Sequence, residues 1–484
     1  MTWRALVAAA VAGLAAALAF PTPGIVPLAF VAWAPLLVAL EGATVVRGLA
    51  LGAMAGAIFF AVVLRWLAAL SVSHWLALSA YLALYVAVFG AIAVRLFNGS
   101  RAGRLALPAA WVALEWLRGW LFGGFAWAAL GTALAPVPAL LPLARTGGVA
   151  VLSLAIVVCN QAVAAAVVAA RRGALAEAVR AAALAVAVPV ALALHALWTV
   201  PAVGDSVGPG LTVALIGGDS DPRLSAGNDF GRAIQGYVAK TDRALDAGSV
   251  DLVIWPETAL PHPIDESGLG IHARALRQRI ELRWQAPLLF GIPVAAGVAG
   301  EFWNEAQLWS HDAVARYQKL RLVPFGEYTP ELPLVGRLPR VLGGPEVAVG
   351  AGGEPFVVAG VRLGVLICFE DLFGADAVER AAGAGALVIL TNDGWLGDAG
   401  AAQHLGAAVF RAVETGRWVA RVANRGASVI IDPWGRMAPA TLAPQRLPAS
   451  EVRTWYAAAP DLAPMVAAVV TMAALVAGAS QRRG

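Results

Sequence analysis

Three polar side chains close apolar runs in the second half of the chain. Glu257 ends Asp-Leu-Val-Ile-Trp-Pro-Glu (251–257), Lys319 ends Ala-Arg-Tyr-Gln-Lys (315–319), and Cys368 ends Gly-Val-Leu-Ile-Cys (364–368). The chemistry open to such a set is nucleophilic attack on a carbonyl. A thiolate is the nucleophile, a carboxylate takes the thiol proton, and an ammonium stabilises the developing oxyanion. Each residue alone has a plainer reading: Cys368 as a small buried hydrophobe, Glu257 as a solvated acid, Lys319 as an exposed strand end. The chain holds two cysteines and six histidines, with no C-x-x-C or H-E-x-x-H spacing. Neither a disulfide framework, a metal site nor a cofactor is therefore expected.

The elements that must position these groups alternate. Apolar runs at 211–218, 251–258, 287–294, 304–310, 313–320, 361–369, 386–393 and 428–435 read as strands. Helical patterns lie between several of them, at about 229–247, 271–283 and 401–423. Strands alternating with helices predict an α/β layered domain. In such domains ligands gather at the C-terminal ends of strands. Glu257 and Cys368 hold such positions, as do Asn392 and Asp393.

The rest of the chain is of another kind. Sixty per cent of its residues are hydrophobic and 14% charged, well below the roughly 25% charged of a soluble domain. A spanning helix needs about 20 mostly apolar residues. Eight stretches fit: 3–20, 24–40, 48–70, 74–95, 105–121, 147–170, 180–200 and 463–480. The first also has the form of a signal peptide, but the spans behind it favour an uncleaved helix. Residues 122–141 are apolar yet broken by Gly and Pro, as in a re-entrant or interfacial segment. The division expected is 1–203, a transmembrane helical bundle; 204–461, an extramembrane α/β domain; and 462–484, a last helix with a short tail. Arg4, Arg47, Arg95, Arg101, Arg104, Arg171, Arg172, Arg180, Arg482 and Arg483 fall on one side if the spans alternate. The positive-inside rule then makes both termini cytoplasmic and the α/β domain periplasmic, on a bacterial inner membrane. This placement of arginines also accounts for much of the net charge of +4 and argues against nucleic acid. Glu115 and Arg118, three apart in the fifth span, are expected to neutralise each other.

Trp-Pro-Glu-Thr at 255–258, Lys-Leu-Arg-Leu-Val-Pro-Phe-Gly-Glu-Tyr at 319–328 and Ile-Cys-Phe-Glu-Asp at 367–371 stand in this order. Together they resemble the nitrilase, or carbon–nitrogen hydrolase, superfamily. The resemblance implies an αββα sandwich with Glu257 as general base, Lys319 as the stabilising charge and Cys368 as nucleophile. It implies supporting places for Glu327, Phe369 and Glu370. With the helices, and with Glu-Trp-Leu-Arg-Gly-Trp (115–120), Thr-Asn-Asp-Gly-Trp-Leu-Gly (391–397) and the stretch 403–435, nearly the whole chain resembles the apolipoprotein N-acyltransferase family. That family moves an acyl chain from a phospholipid, through a cysteine thioester, to the α-amino group of a diacylglyceryl-cysteine at a lipoprotein N-terminus. A monomer is expected. The chain departs from the family at Gly-Phe-Ala-Trp (124–127), where Gly-Phe-Pro-Trp is common. It departs also at Phe369, where Tyr is frequent, and at 219–230, which lacks a Trp. Two other readings stand beside this one. One is a membrane-anchored amidase using water as acceptor; the other is a non-catalytic scaffold for a glycosyltransferase. Residues 330–355, rich in Pro and Gly, read equally as a surface loop or as a mobile arm on the lipid.

Overall fold

The structure is a computed structural model that describes residues 2–97, 101–201, 209–219, 230–260, 271–297, 300–311, 313–332, 336–337, 340–341 and 346–480. The chain divides into two units: Met1–Val200 with Trp455–Gly484, and Pro201–Thr454.

The first unit is helical. Among the described residues five helices are long and apolar enough to cross a membrane: Val45–Val63, Val72–Phe97, Ala144–Arg171, Leu175–Thr199 and Leu462–Ala479. The other three expected spans take different forms. The first is the helix Trp3–Leu18, apolar but 16 residues long. Residues 24–40 form a 3-10 turn, Val26–Phe30, and then a short helix, Ala34–Leu40. Pro27 and Pro35 each open one of these pieces, because a residue without an N–H can start a helical turn but not continue one. The fifth is the helix Arg101–Arg118, with Pro108 inside it. Residues 122–141 form no α-helix. Three short 3-10 turns, Leu121–Gly123, Leu130–Leu134 and Pro138–Leu140, carry the chain through this stretch.

Polar side chains join these segments. Asn160 accepts from Trp33 N at 2.7 Å and donates to Ala29 O at 2.7 Å. Glu115 accepts from Trp111 Nε1 and from Leu130 N, each at 2.7 Å. Arg118 lies over the Phe60 ring, 5.3 Å from its centroid. Glu115 thus also ties its helix to neighbouring backbone, while its charge still acts on Arg118. The last helix, Leu462–Ser480, packs on Arg101–Arg118 through Ala467 against Ala109 and Val112. Trp116 Nε1 also donates to Asp461 Oδ1 at 3.0 Å, across 345 residues of sequence.

The second unit contains two main sheets. One runs in the order Gln445–Pro448, Gly210–Leu215, Leu252–Ile254, Leu288–Ala295, Glu301–Trp309, Val314–Gln318, with Glu346–Val347 added on Glu301–Trp309. The other runs Met437–Pro439, Val429–Ile431, Trp418–Asn424, Ala386–Asn392, Val361–Ile367, Phe356–Val358. Successive strand residues face opposite ways. Val213, Leu215, Ile254 and Leu289 of the first sheet therefore share one core with Leu363, Val365, Ile367, Val388 and Val422 of the second. On the outer face of the first sheet, Val253, Trp255 and Phe290 pack with Tyr237, Leu276 and Ile280 of its helices. The α/β sandwich is thus the expected αββα arrangement.

One expected element is corrected. The helix predicted over 401–423 ends at Thr415, where Gly416 turns left-handed at φ 68°. Trp418–Asn424 is an interior strand of the second sheet. Both of its faces are buried, so it shows no alternation, and its continuous apolar run reads like helix.

Candidate active site

Cys368 follows the strand Val361–Ile367 and opens a 3-10 turn, Cys368–Leu372. Its backbone is left-handed, with φ 48°, a conformation that costs a residue with a Cβ roughly 1–3 kcal/mol. The cost is met by the anchoring of the turn. Glu370 accepts from Ile367 N at 2.7 Å, just before the cysteine. It also accepts from Leu320 N at 2.7 Å, from Arg321 N at 3.3 Å and from Tyr317 Oη at 3.0 Å. One carboxylate thus ties the turn of Cys368 to the segment that follows Lys319. Burial pushes the Glu370 carboxyl up, against the Ile367 and Leu320 amides and the charge of Lys319. Phe369 is buried edge-on to Phe373, with ring centroids 5.3 Å apart.

Lys319 lies just beyond the strand Val314–Gln318 and is 1% exposed. Its Nζ is 2.8 Å from Glu327 Oε1 and 3.4 Å from Glu257 Oε1. Burial alone would lower the pKa of the ammonium. The charges of Glu327 and Glu257 outweigh burial and hold it well above the usual lysine range. Lys319 is therefore a fixed cation. Glu257 follows Leu252–Ile254 and is 5% exposed. Its backbone lies against Gly291 of the next strand, where a Cβ would come within 2.6 Å of Glu257 Cα. No larger residue leaves the carboxylate in this place. Glu327 is held from behind by Val323 N at 2.7 Å.

The Cys368 thiol is pushed well above its ordinary value. Burial is the main cause and the Glu257 charge adds to it; Lys319 and a hydrogen bond with the Thr391 side chain pull the other way. At rest the sulfur is a thiol, and a base is needed at the moment of attack. The arrangement provides a carboxylate for the proton, a fixed ammonium for an oxyanion, and a half-buried sulfur. Among the described residues no group of His, Cys, Asp and Glu side chains is arranged to hold a metal ion.

The structure brings together Glu257, Lys319, Glu327, Cys368, Phe369 and Glu370, and adds residues that the sequence did not mark. Asn304 Nδ2 donates to Glu257 Oε1 at 2.8 Å and to Glu327 Oε1 at 3.3 Å. A second ion cluster lies on the other side of the nucleophile. His404 Nδ1 is 2.9 Å from Asp393 Oδ1 and its Nε2 is 2.8 Å from Asp371 Oδ1. Arg421 Nη2 is 2.7 Å from Asp393 Oδ2. Burial opposes the imidazolium, but the charges of Asp371 and Asp393 raise His404 to about 9. Burial likewise opposes the Asp393 carboxylate, but Arg421 and His404 lower it to about 2. Gly426 permits this packing, since a Cβ there would meet Asp393 Oδ2 at 2.4 Å. Of these residues the sequence marked Asp393, at the end of an apolar strand, and Asp371, within the Ile-Cys-Phe-Glu-Asp motif; it gave Asn304, His404 and Arg421 no individual signal. The 330–355 stretch falls partly outside the described residues; within it Glu346–Val347 pairs with Glu301–Phe302, and Val347 N donates to Glu327 O at 2.8 Å.

Residues 12–162 match a family model described as the apolipoprotein N-acyltransferase N-terminal domain. Residues 212–446 match the carbon-nitrogen hydrolase model. An apolipoprotein N-acyltransferase of Geobacter metallireducens is 33% identical over 467 residues, covering 89% of this chain and 85% of that protein. One from Gloeobacter violaceus is 32% identical, covering 99% of this chain and 95% of that protein. Among solved structures, an amidase of the nitrilase superfamily from Nesterenkonia covers 50% of this chain and 92% of its own, at 21% identity and a TM-score of 0.36.

Proposed function

The chain belongs to the apolipoprotein N-acyltransferase family, and from that premise we propose how its own residues carry the acyl group. It is an acyltransferase of the membrane, with a carbon–nitrogen hydrolase domain. It moves an acyl chain from a phospholipid to the α-amino group of an N-terminal diacylglyceryl-cysteine. The acceptor is an amine, not water. The match of residues 12–162 to the acyltransferase N-terminal model favours this reading over hydrolysis of a small amide.

In the first step Glu257 takes the Cys368 proton and the sulfur adds to the ester carbonyl. The oxyanion forms beside Lys319. As the tetrahedral adduct collapses, the ester C–O bond breaks and Glu257 returns the proton to the departing alcohol, a lysophospholipid. A thioester remains on Cys368. In the second step Glu257 takes the ammonium proton, and the free α-amino group adds to the thioester. The C–S bond breaks, an amide forms, and the sulfur regains a proton. Glu327 and Asn304 keep Lys319 and Glu257 in register through both steps. Glu370 holds the turn of the nucleophile, and Phe369 packs beneath it.

The observation that carries this reading is a single buried ammonium, 3.4 Å from Glu257 and 2.8 Å from Glu327, whose charge also acts on Cys368. Its test is intact-protein mass spectrometry after incubation with phospholipid alone. The wild type should gain one acyl mass that hydroxylamine removes, and Cys368→Ser should gain none. A wild type that transfers acyl chains yet never carries one under rapid quench points to direct transfer, and sinks the two-step reading.

The arginine pattern supports cytoplasmic termini and a periplasmic catalytic unit in the inner membrane. Protease added to the outer face should then cleave within 204–461 and spare the loops that hold Arg101 and Arg171. Cleavage confined to those loops would reverse the orientation.

A further inference from the structure

The Thr391 hydroxyl stands between the nucleophile and the second ion cluster, and the two steps above give it no part. Parallel pairing of Ile367 with Leu390 puts Cys368 and Thr391 side by side at the next position. The side chain of Thr391 thus lies near the sulfur and pulls the thiol's pKa down. On its other side Oγ1 lies 3.0 Å from Asp393 Oδ1. Asp393 is held independently by His404 at 2.9 Å and by Arg421 at 2.7 Å. Thr391, Asp393, His404 and Arg421 are all at most 1% exposed, so water does not substitute for any of these bonds.

A hydroxyl has one proton and two lone pairs, and a carboxylate only accepts. While the Thr391 proton points to Asp393, its oxygen can only accept from the sulfur. That arrangement suits the neutral thiol. A thiolate has no proton to give, so the hydroxyl must turn and donate to it. We infer that Thr391 is a positioning residue whose hydroxyl proton alternates between Asp393 and the Cys368 sulfur, stabilising the thiolate as it forms at attack and again as it leaves the thioester. No covalent bond changes in this switch, and the thiol proton still goes to Glu257. Asp393 tolerates the loss of one donor because His404 and Arg421 stay in place. The inference rests on the reading of Cys368 as the nucleophile.

The charged groups that act on the sulfur come from every neighbouring strand end. They are Glu257, Lys319, Asp393 and Arg421. A test must hold these constant and alter the hydroxyl alone. The full-length protein in detergent, carrying Cys159→Ser, leaves Cys368 as its one thiol. Its alkylation rate by iodoacetamide is measured against pH. Thr391→Val keeps the shape and removes the hydroxyl; the midpoint should rise by about one to two pH units, the worth of a hydrogen bond to a charged group. Thr391→Ser should bring it back toward the wild type. Asp393→Asn removes a charge as well as the competing acceptor, so it is read against the hydroxyl: its downward shift should be larger with Thr391 present than in Thr391→Val. An unchanged midpoint in Thr391→Val, or a serine variant that behaves like valine, overturns the inference. If the valine variant does not fold, Thr391→Ala is measured in its place, and an unchanged midpoint there overturns the inference. Failure of the nucleophile reading is seen separately, as acyl transfer that survives Cys368→Ser.

Discussion

Two buried ion clusters flank Cys368, and they differ in charge balance. In the first, one cation, Lys319, serves two carboxylates, Glu257 and Glu327. In the second, two cations, His404 and Arg421, serve two carboxylates, Asp371 and Asp393. The first cluster has a carboxylate left over, and a carboxylate that is incompletely neutralised can accept a proton. In the second every charge has its opposite, so it can hold neighbours in place without exchanging protons with them. Two clusters of similar residues thus suit different tasks: one for chemistry, one for posture.

Breaking the first cluster should have the largest effect, and on rate. Lys319→Ala should slow acyl loading by at least about 100- to 1000-fold, the usual loss when one oxyanion-stabilising donor is removed. Rapid-quench mass spectrometry reads this directly. Loading at the wild-type rate would move the stabilising charge elsewhere.

Breaking the second should act on stability. Arg421→Met leaves Asp393 buried with an unbalanced charge, a change that typically costs about 3–5 kcal/mol. Denaturant unfolding of the detergent-solubilised protein should show it. A variant as stable as the wild type, but without acyl transfer, would mean that the second cluster also does chemistry.

The third and smallest effect concerns pH. His404 is raised from 6.5 to about 9 by Asp371 and Asp393, against the pull of burial. A group whose folded-state value is raised contributes stability that is fully present below pH 6.5 and is lost as pH climbs through about 9. Wild-type stability should fall across that window, and His404→Gln should flatten the fall. Equal slopes in the two proteins would show that the imidazole is not charged in the folded state.

Glu257 and Lys319 of the first cluster, and Cys368 beside it, were legible in the sequence because each sits where an apolar run ends; Glu327 was marked only by the family resemblance. A buried strand that stops on Glu, Lys or Cys announces a side chain held at a sheet edge. The two cations of the second cluster were not, for a physical reason. His404 lies inside the helix Gly397–Thr415 and Arg421 inside a strand, at positions with no local mark. They meet only because the strands Ala386–Asn392 and Trp418–Asn424 pair in one register, Ile389 against Arg421. Asn304 was hidden in the same way, in mid-strand, opposite Pro293. The span count suffered from the reverse error. Residues 24–40 have the composition of a crossing helix, but Pro27 and Pro35 divide them, and composition does not record where the backbone lacks a donor.

The last helix seats itself against Arg101–Arg118, with Ala467 on Ala109 and Val112, and with the Trp116–Asp461 hydrogen bond joining residues 345 apart. Synthesis runs from the N-terminus, so that seat is made long before its occupant. Through the whole translation of the catalytic unit, the groove beside Ala109 and Val112 waits open in the bilayer. The helical unit is closed only once Leu462–Ser480 has been made. A ribosome that stalls, or a stop codon that falls near residue 460, therefore leaves a chain with a translated catalytic unit and an unclosed helical one.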